Sequence, residues 1–259
     1  MDLSAHIEKD ELSRGTNIST ISLDEAKHII ISVLAISIAF SIAYLNTENQ
    51  NGISVFLKYP ASFLLFCFFS LVGVGSGFIL HELGHKIVAI HYGAYAKFNM
   101  WTKGLIFMFI TSIFGMLFAA PGAVYIYSST ITKKQNGIIS AVGPIINLVI
   151  ALVFVFLMRV KPLYIPFPFE IPVLVSTNNM LDVWLLGAQM NVVLSLFNMI
   201  PAFPLDGSKV FMWNKFAWVG IVLVCMIIAV KIFSSIDIVI TWLVLMAIAL
   251  VFSKLVFRS

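Results

Sequence analysis

From Ala61 to Leu80 the chain carries no charged residue, and the run ends abruptly on His81-Glu82-Leu83-Gly84-His85. A helix needs about 20 apolar residues to cross the hydrocarbon core of a bilayer. The stretch that opens near Ala61 and stays helical to about Ile90 is long enough to do so. Five others reach or approach that length: His28–Leu45, Gly137–Met158, Val183–Ile200, Phe216–Val230 and Ile236–Val256. Composition agrees, since 60% of the residues are hydrophobic, 11% are charged and the mean hydropathy is +1.01. So few charges cannot coat a soluble globule. The expected fold is an all-α polytopic membrane protein with about six transmembrane helices.

Residues 1–27 are polar and carry charges of both signs, which is no signal peptide and reads as a cytosolic arm. Within it, Ser22-Leu23-Asp24-Glu25 has the form of a capping box ahead of the first apolar run. Residues 28–258 form one membrane domain, and the proline-rich stretch Pro162–Pro172 is its clearest loop. The net charge of +4 comes from scattered basic residues with no stripe that would suit nucleic acid. With the N-terminus inside, Lys9, Arg14, Lys27, Lys86, Lys97, Lys103, Lys133, Lys134, Lys209, Lys215, Lys254 and Arg258 fall on the cytosolic side. Only Lys58, Arg159, Lys161 and Lys231 fall outside, the bias expected of a multi-pass cell-membrane protein. Cys67 and Cys225 both lie in apolar runs, so no disulfide framework is implied.

The chemistry concentrates at His81, Glu82 and His85. Two histidines at i and i+4 share one face of a helix and can bind one metal ion, while the Glu between them can act as a base on a water. Ionisable groups at membrane depth are expensive and point to function. A catalytic zinc site needs a third protein ligand and an open position. Beyond the motif and at nearby loop ends the carboxylates are Glu48, Glu170, Asp182, Asp206 and Asp237. Asp182, Glu170 and Asp237 fall on the outer face of the six-span map. Asp206 follows the fourth span in Pro201-Ala-Phe-Pro204-Leu-Asp206-Gly207, on the face to which the His helix descends. Two prolines stop the helix there and Gly207 permits a turn that aims the carboxylate back. The expected metal ligands are His81, His85 and Asp206.

That assignment constrains Leu105–Ala120. If it crossed the bilayer, Asp206 would emerge on the side opposite the histidines. Residues 94–127 are therefore expected to form a membrane-dipping hairpin or short sheet after the second span, a helical re-entrant segment being the alternative. Gly73, Gly75 and Gly77 suit close helix packing. His91, six residues beyond His85, faces away from the ligand side and reads as interfacial.

Three motifs in order, His81-Glu-Leu-Gly-His85, Gly143-Pro144-Ile-Ile-Asn147 and Asn198-Met-Ile-Pro201-Ala-Phe-Pro204-Leu-Asp206-Gly207, make residues 60–210 resemble the site-2 protease family of intramembrane zinc metalloproteases. The resemblance implies a three-helix catalytic core, one zinc ion per chain, and a site opening to the cytosol. It also implies substrates that are transmembrane proteins, such as an anti-sigma factor or a membrane-tethered regulator. Carried to Asn147, the family pattern implies a catalytic amide that steadies substrate or oxyanion, a contribution typically near ~3 kcal/mol. An interhelical hydrogen bond is the equal alternative. The rival function is a membrane metal transporter or channel using the same residues, although such a path has no need of Glu82.

Overall fold

A computed structural model describes residues 21–46, 51–118, 121–128, 130–166 and 180–256. Residues 1–20 of the arm, Glu48, Glu170 and residues 167–172 of the proline-rich stretch lie outside the described residues.

Helix α1 (Leu23–Tyr44) starts at Ser22, whose hydroxyl accepts the Glu25 N–H at 3.2 Å. This is half of the expected capping box. The Glu25 carboxylate does not fold back on Ser22, because it has stronger partners in the interior. It is 2% exposed, receives Lys86 Nζ at 2.7 Å on both oxygens, and accepts the Phe98 N–H at 3.0 Å. Lys86, expected as a charge at the membrane edge, is thus a buried member of an ion pair.

After the short α2 (Gly52–Lys58), residues Pro60–His91 form one helical run. It comprises α3 (Pro60–Ser70), a π-helical turn at Leu71–Gly75 and α4 (Ser76–His91). The Gly73 carbonyl in the wide turn accepts Asn191 Nδ2 at 2.9 Å from α7 (Val183–Asn198). A Cβ on Gly73 would lie 3.1 Å from the Gly187 Cα, and one on Gly77 would overlap the Asn191 side chain. The glycines therefore set how closely the run approaches α7, as small residues do between membrane helices.

The segment after α4 contains both strand and helix. Strands β1 (Tyr95–Met100) and β2 (Gly122–Tyr127) pair antiparallel, and helix α5 (Thr102–Ile113) lies between them. Phe98 faces Val124 in the register. Their N–H groups do not bond each other: Phe98 donates to Glu25 and Val124 to Glu82 Oε2. This is a non-hydrogen-bonded pair, so each outer edge of the sheet has an amide taken by a carboxylate.

Helix α6 (Lys133–Val160) opens on a complete capping box between Thr132 and Gln135. Strands β3 (Tyr164–Pro166) and β4 (Met180–Asp182) pair and deliver Asp182 to the start of α7, where its carboxylate caps the Trp184 and Leu185 N–H groups. That role agrees with its exclusion as a ligand. Helices α8 (Asp206–Trp213), α9 (Lys215–Phe233) and α10 (Asp237–Val256) follow. Among the described residues, four helical runs are long and apolar enough to cross a membrane: α1, Pro60–His91, α6 and α9. This is the make-up of an integral membrane protein. At 16 residues, α7 is shorter than the four, as is α5 at 12. Helix α6 packs against α4, α7 and α8, which brings the three motifs together.

Removing one member of a buried ion pair leaves the other charge without compensation, at a cost of about 3–5 kcal/mol. Glu25→Ala should therefore lower the thermal unfolding midpoint in detergent clearly. The double variant Glu25→Gln/Lys86→Met should recover much of the loss.

Candidate metal centre

His81, Glu82 and His85 sit within α4, and all three are more than nine-tenths buried. The imidazoles meet edge to face with ring centroids 4.6 Å apart. Asp206 reaches them from the first turn of α8. Its Oδ2 lies 3.2 Å from His81 Nε2 and 2.9 Å from His85 Nε2. The chain can make this turn because position 207 is glycine, since a Cβ there would strike the Met199 carbonyl group. The end of α7 is braced at the same place by Trp218 Nε1, which donates to the Met199 carbonyl at 2.8 Å.

These residues fit a small divalent cation. One donor atom from each of His81, His85 and Asp206 lies within 4.8 Å of the others. Tetrahedral zinc with bonds of about 2.0–2.2 Å separates its ligand atoms by about 3.3–3.5 Å, close to the nitrogen–oxygen distances observed. Two imidazoles and a carboxylate are also a donor set that zinc accepts. The space is kept clear by Gly143 on α6: a Cβ there would lie 2.5 Å from both His81 Nε2 and His85 Nε2. Gly84, inside the His motif, permits the approach of α6, because a Cβ there would overlap the Ile146 side chain.

The atoms facing away from the three donors are held too. His85 Nδ1–H donates to the Ile139 carbonyl at 2.7 Å. Pro144 lies one turn further along α6 and supplies no N–H to the Ser140 carbonyl. His81 Nδ1 lies 3.3 Å from Asn147 Nδ2, and Lys209 Nζ lies 3.5 Å from Asp206 Oδ1. Burial alone would raise the Asp206 carboxyl. The neighbouring His85 and Lys209 charges, with hydrogen bonds from His81 and His85, instead hold it well below the usual carboxylate range. The same direction favours the ionised carboxylate that metal ligation uses.

All five residues singled out in the sequence, His81, Glu82, His85, Asn147 and Asp206, line one cavity of about 260 Å³. Gly122–Ile126 form its wall on the β2 side. Asn198 also lines it, with Nδ2 bonded to the Leu194 carbonyl at 3.1 Å. No role for Asn198 was evident from the sequence, although it opens the motif that ends in Asp206. His91 is exposed and away from the cavity.

A curated relative is named for the same metal. The chain is 40% identical over 194 residues to "Putative zinc metalloprotease MJ0611" of Methanocaldococcus jannaschii, a match covering 73% of this chain and 84% of that protein. The chain belongs to this zinc metalloprotease family. A second member, "Putative zinc metalloprotease YwhC" of Bacillus subtilis, is 28% identical over 167 residues, covering 60% of this chain and 71% of its own. No family model and no solved structure matches. In this zinc metalloprotease, His81, His85 and Asp206 make a site that could hold one metal ion.

Gly143→Ala tests the metal space directly. In a helix interior this exchange ordinarily stabilises, by roughly 1 kcal/mol. Here the methyl group would meet both ligating nitrogens, so zinc content of the purified protein should fall far below one per chain. His81→Ala and Asp206→Asn should empty the same site.

Proposed function

We propose that the protein is an intramembrane zinc endopeptidase that hydrolyses peptide bonds within or beside transmembrane segments of other membrane proteins. The observation that carries this reading is the placement of Glu82: it lies on the ligand helix between the two histidines, with its carboxylate in the cavity beside the outer edge of β2. A metal path through the membrane has no need of a base there. A zinc ion held by His81, His85 and Asp206 supplies Lewis acidity, which makes a water more acidic and a carbonyl more electrophilic.

The chain's own residues do the rest. Glu82 takes a proton from the attacking water as its oxygen bonds to the scissile carbonyl carbon. The Glu82 carboxyl then returns the proton to the amide nitrogen as the C–N bond breaks, releasing a carboxylic acid and an amine, which ionise to carboxylate and ammonium. Asn147 supplies an amide at the cavity wall. A substrate helix hides its carbonyls in internal bonds and must unwind first. The outer edge of β2 suits the unwound segment, because strand addition satisfies its backbone groups and the cavity runs along Gly122–Ile126. In this reading α7 and α10 also cross, giving six spans, and residues 94–127 dip into the membrane as the wall of the site. The N-terminus and the site face the cytosol, and the substrate is a single-span protein such as an anti-sigma factor or a membrane-tethered regulator.

Glu82→Gln keeps the side-chain size and all three ligands. Zinc content should survive, while cleavage of a membrane-segment substrate falls by a factor of at least about 100 to 10,000. Near wild-type cleavage with zinc retained would remove Glu82 as the base. The topology is checked by cysteine labelling in sealed vesicles: positions 97, 133 and 209 should label from one face, and 58 and 161 from the other. Labelling of 97 and 133 from opposite faces would make the 94–127 segment a full span.

A further inference from the structure

The Asn147 side chain is fully buried at 0% exposure, and its Oδ1 has no hydrogen-bond partner. In this arrangement Nδ2 faces His81 Nδ1 at 3.3 Å. A donor there requires a bare Nδ1, and therefore an imidazole whose proton sits on Nε2. His81 Nε2 itself lies 3.2 Å from Asp206 Oδ2, on the side where the three donor atoms converge.

A proton on Nε2 does not suit metal ligation. An imidazole that ligates through Nε2 carries its proton on Nδ1 and then needs an acceptor for it. His85 already has one, the Ile139 carbonyl at 2.7 Å. For His81 the amide of Asn147 is the group in reach. Its oxygen and nitrogen exchange places by rotation about the terminal side-chain bond, with almost no change in shape. The rotation turns the partnerless Oδ1 into the acceptor that His81 Nδ1–H requires.

We propose that Asn147 is a positioning residue for the metal. Its amide oxygen accepts the Nδ1–H that His81 carries when it ligates through Nε2. This inference rests on the zinc metalloprotease reading and assigns Asn147 to the ligand rather than to the reacting carbonyl. It also accounts for asparagine at a fully buried position between α4 and α6, since an acceptor is needed there and leucine offers none.

The test compares Asn147→Leu with Asn147→Asp in the purified full-length chain in detergent. Zinc affinity is measured by competition with a chromophoric chelator, and the ligand field by the visible absorption of the cobalt(II)-loaded protein. Aspartate accepts from His81 Nδ1–H but cannot donate to an oxyanion. Asn147→Asp should therefore hold zinc within about threefold of wild type or more tightly, with a cobalt spectrum close to the wild type. Asn147→Leu should bind zinc about 10–100-fold more weakly and shift the cobalt bands. Asn147→Ala serves in place of Leu if the larger side chain prevents folding. Wild-type zinc affinity in Asn147→Leu or Asn147→Ala would overturn the proposal. So would equal loss in the aspartate variant, because the defect would then be one of packing. A chain whose zinc is unaffected by His81→Ala would instead defeat the metalloprotease reading itself, whatever the Asn147 variants do.

Discussion

A backbone or side-chain polar group inside a lipid-solvated fold must find its partner within the chain, because the hydrocarbon offers none. Much of the architecture answers to that demand. Ser37 and Ser41 return their hydroxyls to carbonyls one turn back in α1. The indoles of Trp218 and Trp242 donate to the Met199 and Leu196 carbonyls at the end of α7. The π-helical turn leaves the Gly73 carbonyl accessible, and Asn191 takes it. Even the sheet obeys, with Glu25 and Glu82 each receiving an amide from its outer edges. The site is assembled from the same material: a metal centre in such an interior needs every face of its ligands to be occupied.

Tight helix approach is the second requirement, and it falls on particular glycines. Gly84 lets α6 come against α4, and Gly143 then stands where any side chain would displace the ion. The chemistry is therefore held by rigid helices with a short turn at Asp206. The β2 wall of the cavity is the part built from strand.

Much of this is legible in the amino-acid sequence alone. His81 and His85 stand out by helical spacing and Asp206 by its place in a proline-bounded turn after an apolar run, and the structure brings the three together. The apolar runs mark the helices, while for 94–127 the sequence leaves a hairpin, a short sheet or a helical re-entrant segment open, and the structure has paired strands with a helix between them. What escapes the sequence is relational. Glu25 has the look of a capping-box residue and Lys86 that of a charge at the membrane edge, because nothing local says that they are brought together across 61 residues of chain. The role of the Val124 N–H is a property of strand register, invisible in a side-chain pattern. Asn198 stands within a motif, but an amide beside prolines carries no chemistry until the cavity next to it is known. Helix α5 shares its segment with the strands, and apolar aromatic residues suit either structure.

The contact between Glu25 and Lys86 also bears on how the molecule is put together. Glu25 enters with the first helix and Lys86 arrives at the end of the ligand-bearing one, and neither charge is tolerable in the interior alone. The last turns of α4 and the first turn of α1 are each incomplete without the other, because the Lys86 ammonium and the Glu25 carboxylate are buried together. The ion pair therefore ties the position of the first helix to that of the helix that carries the chemistry, one residue beyond His85.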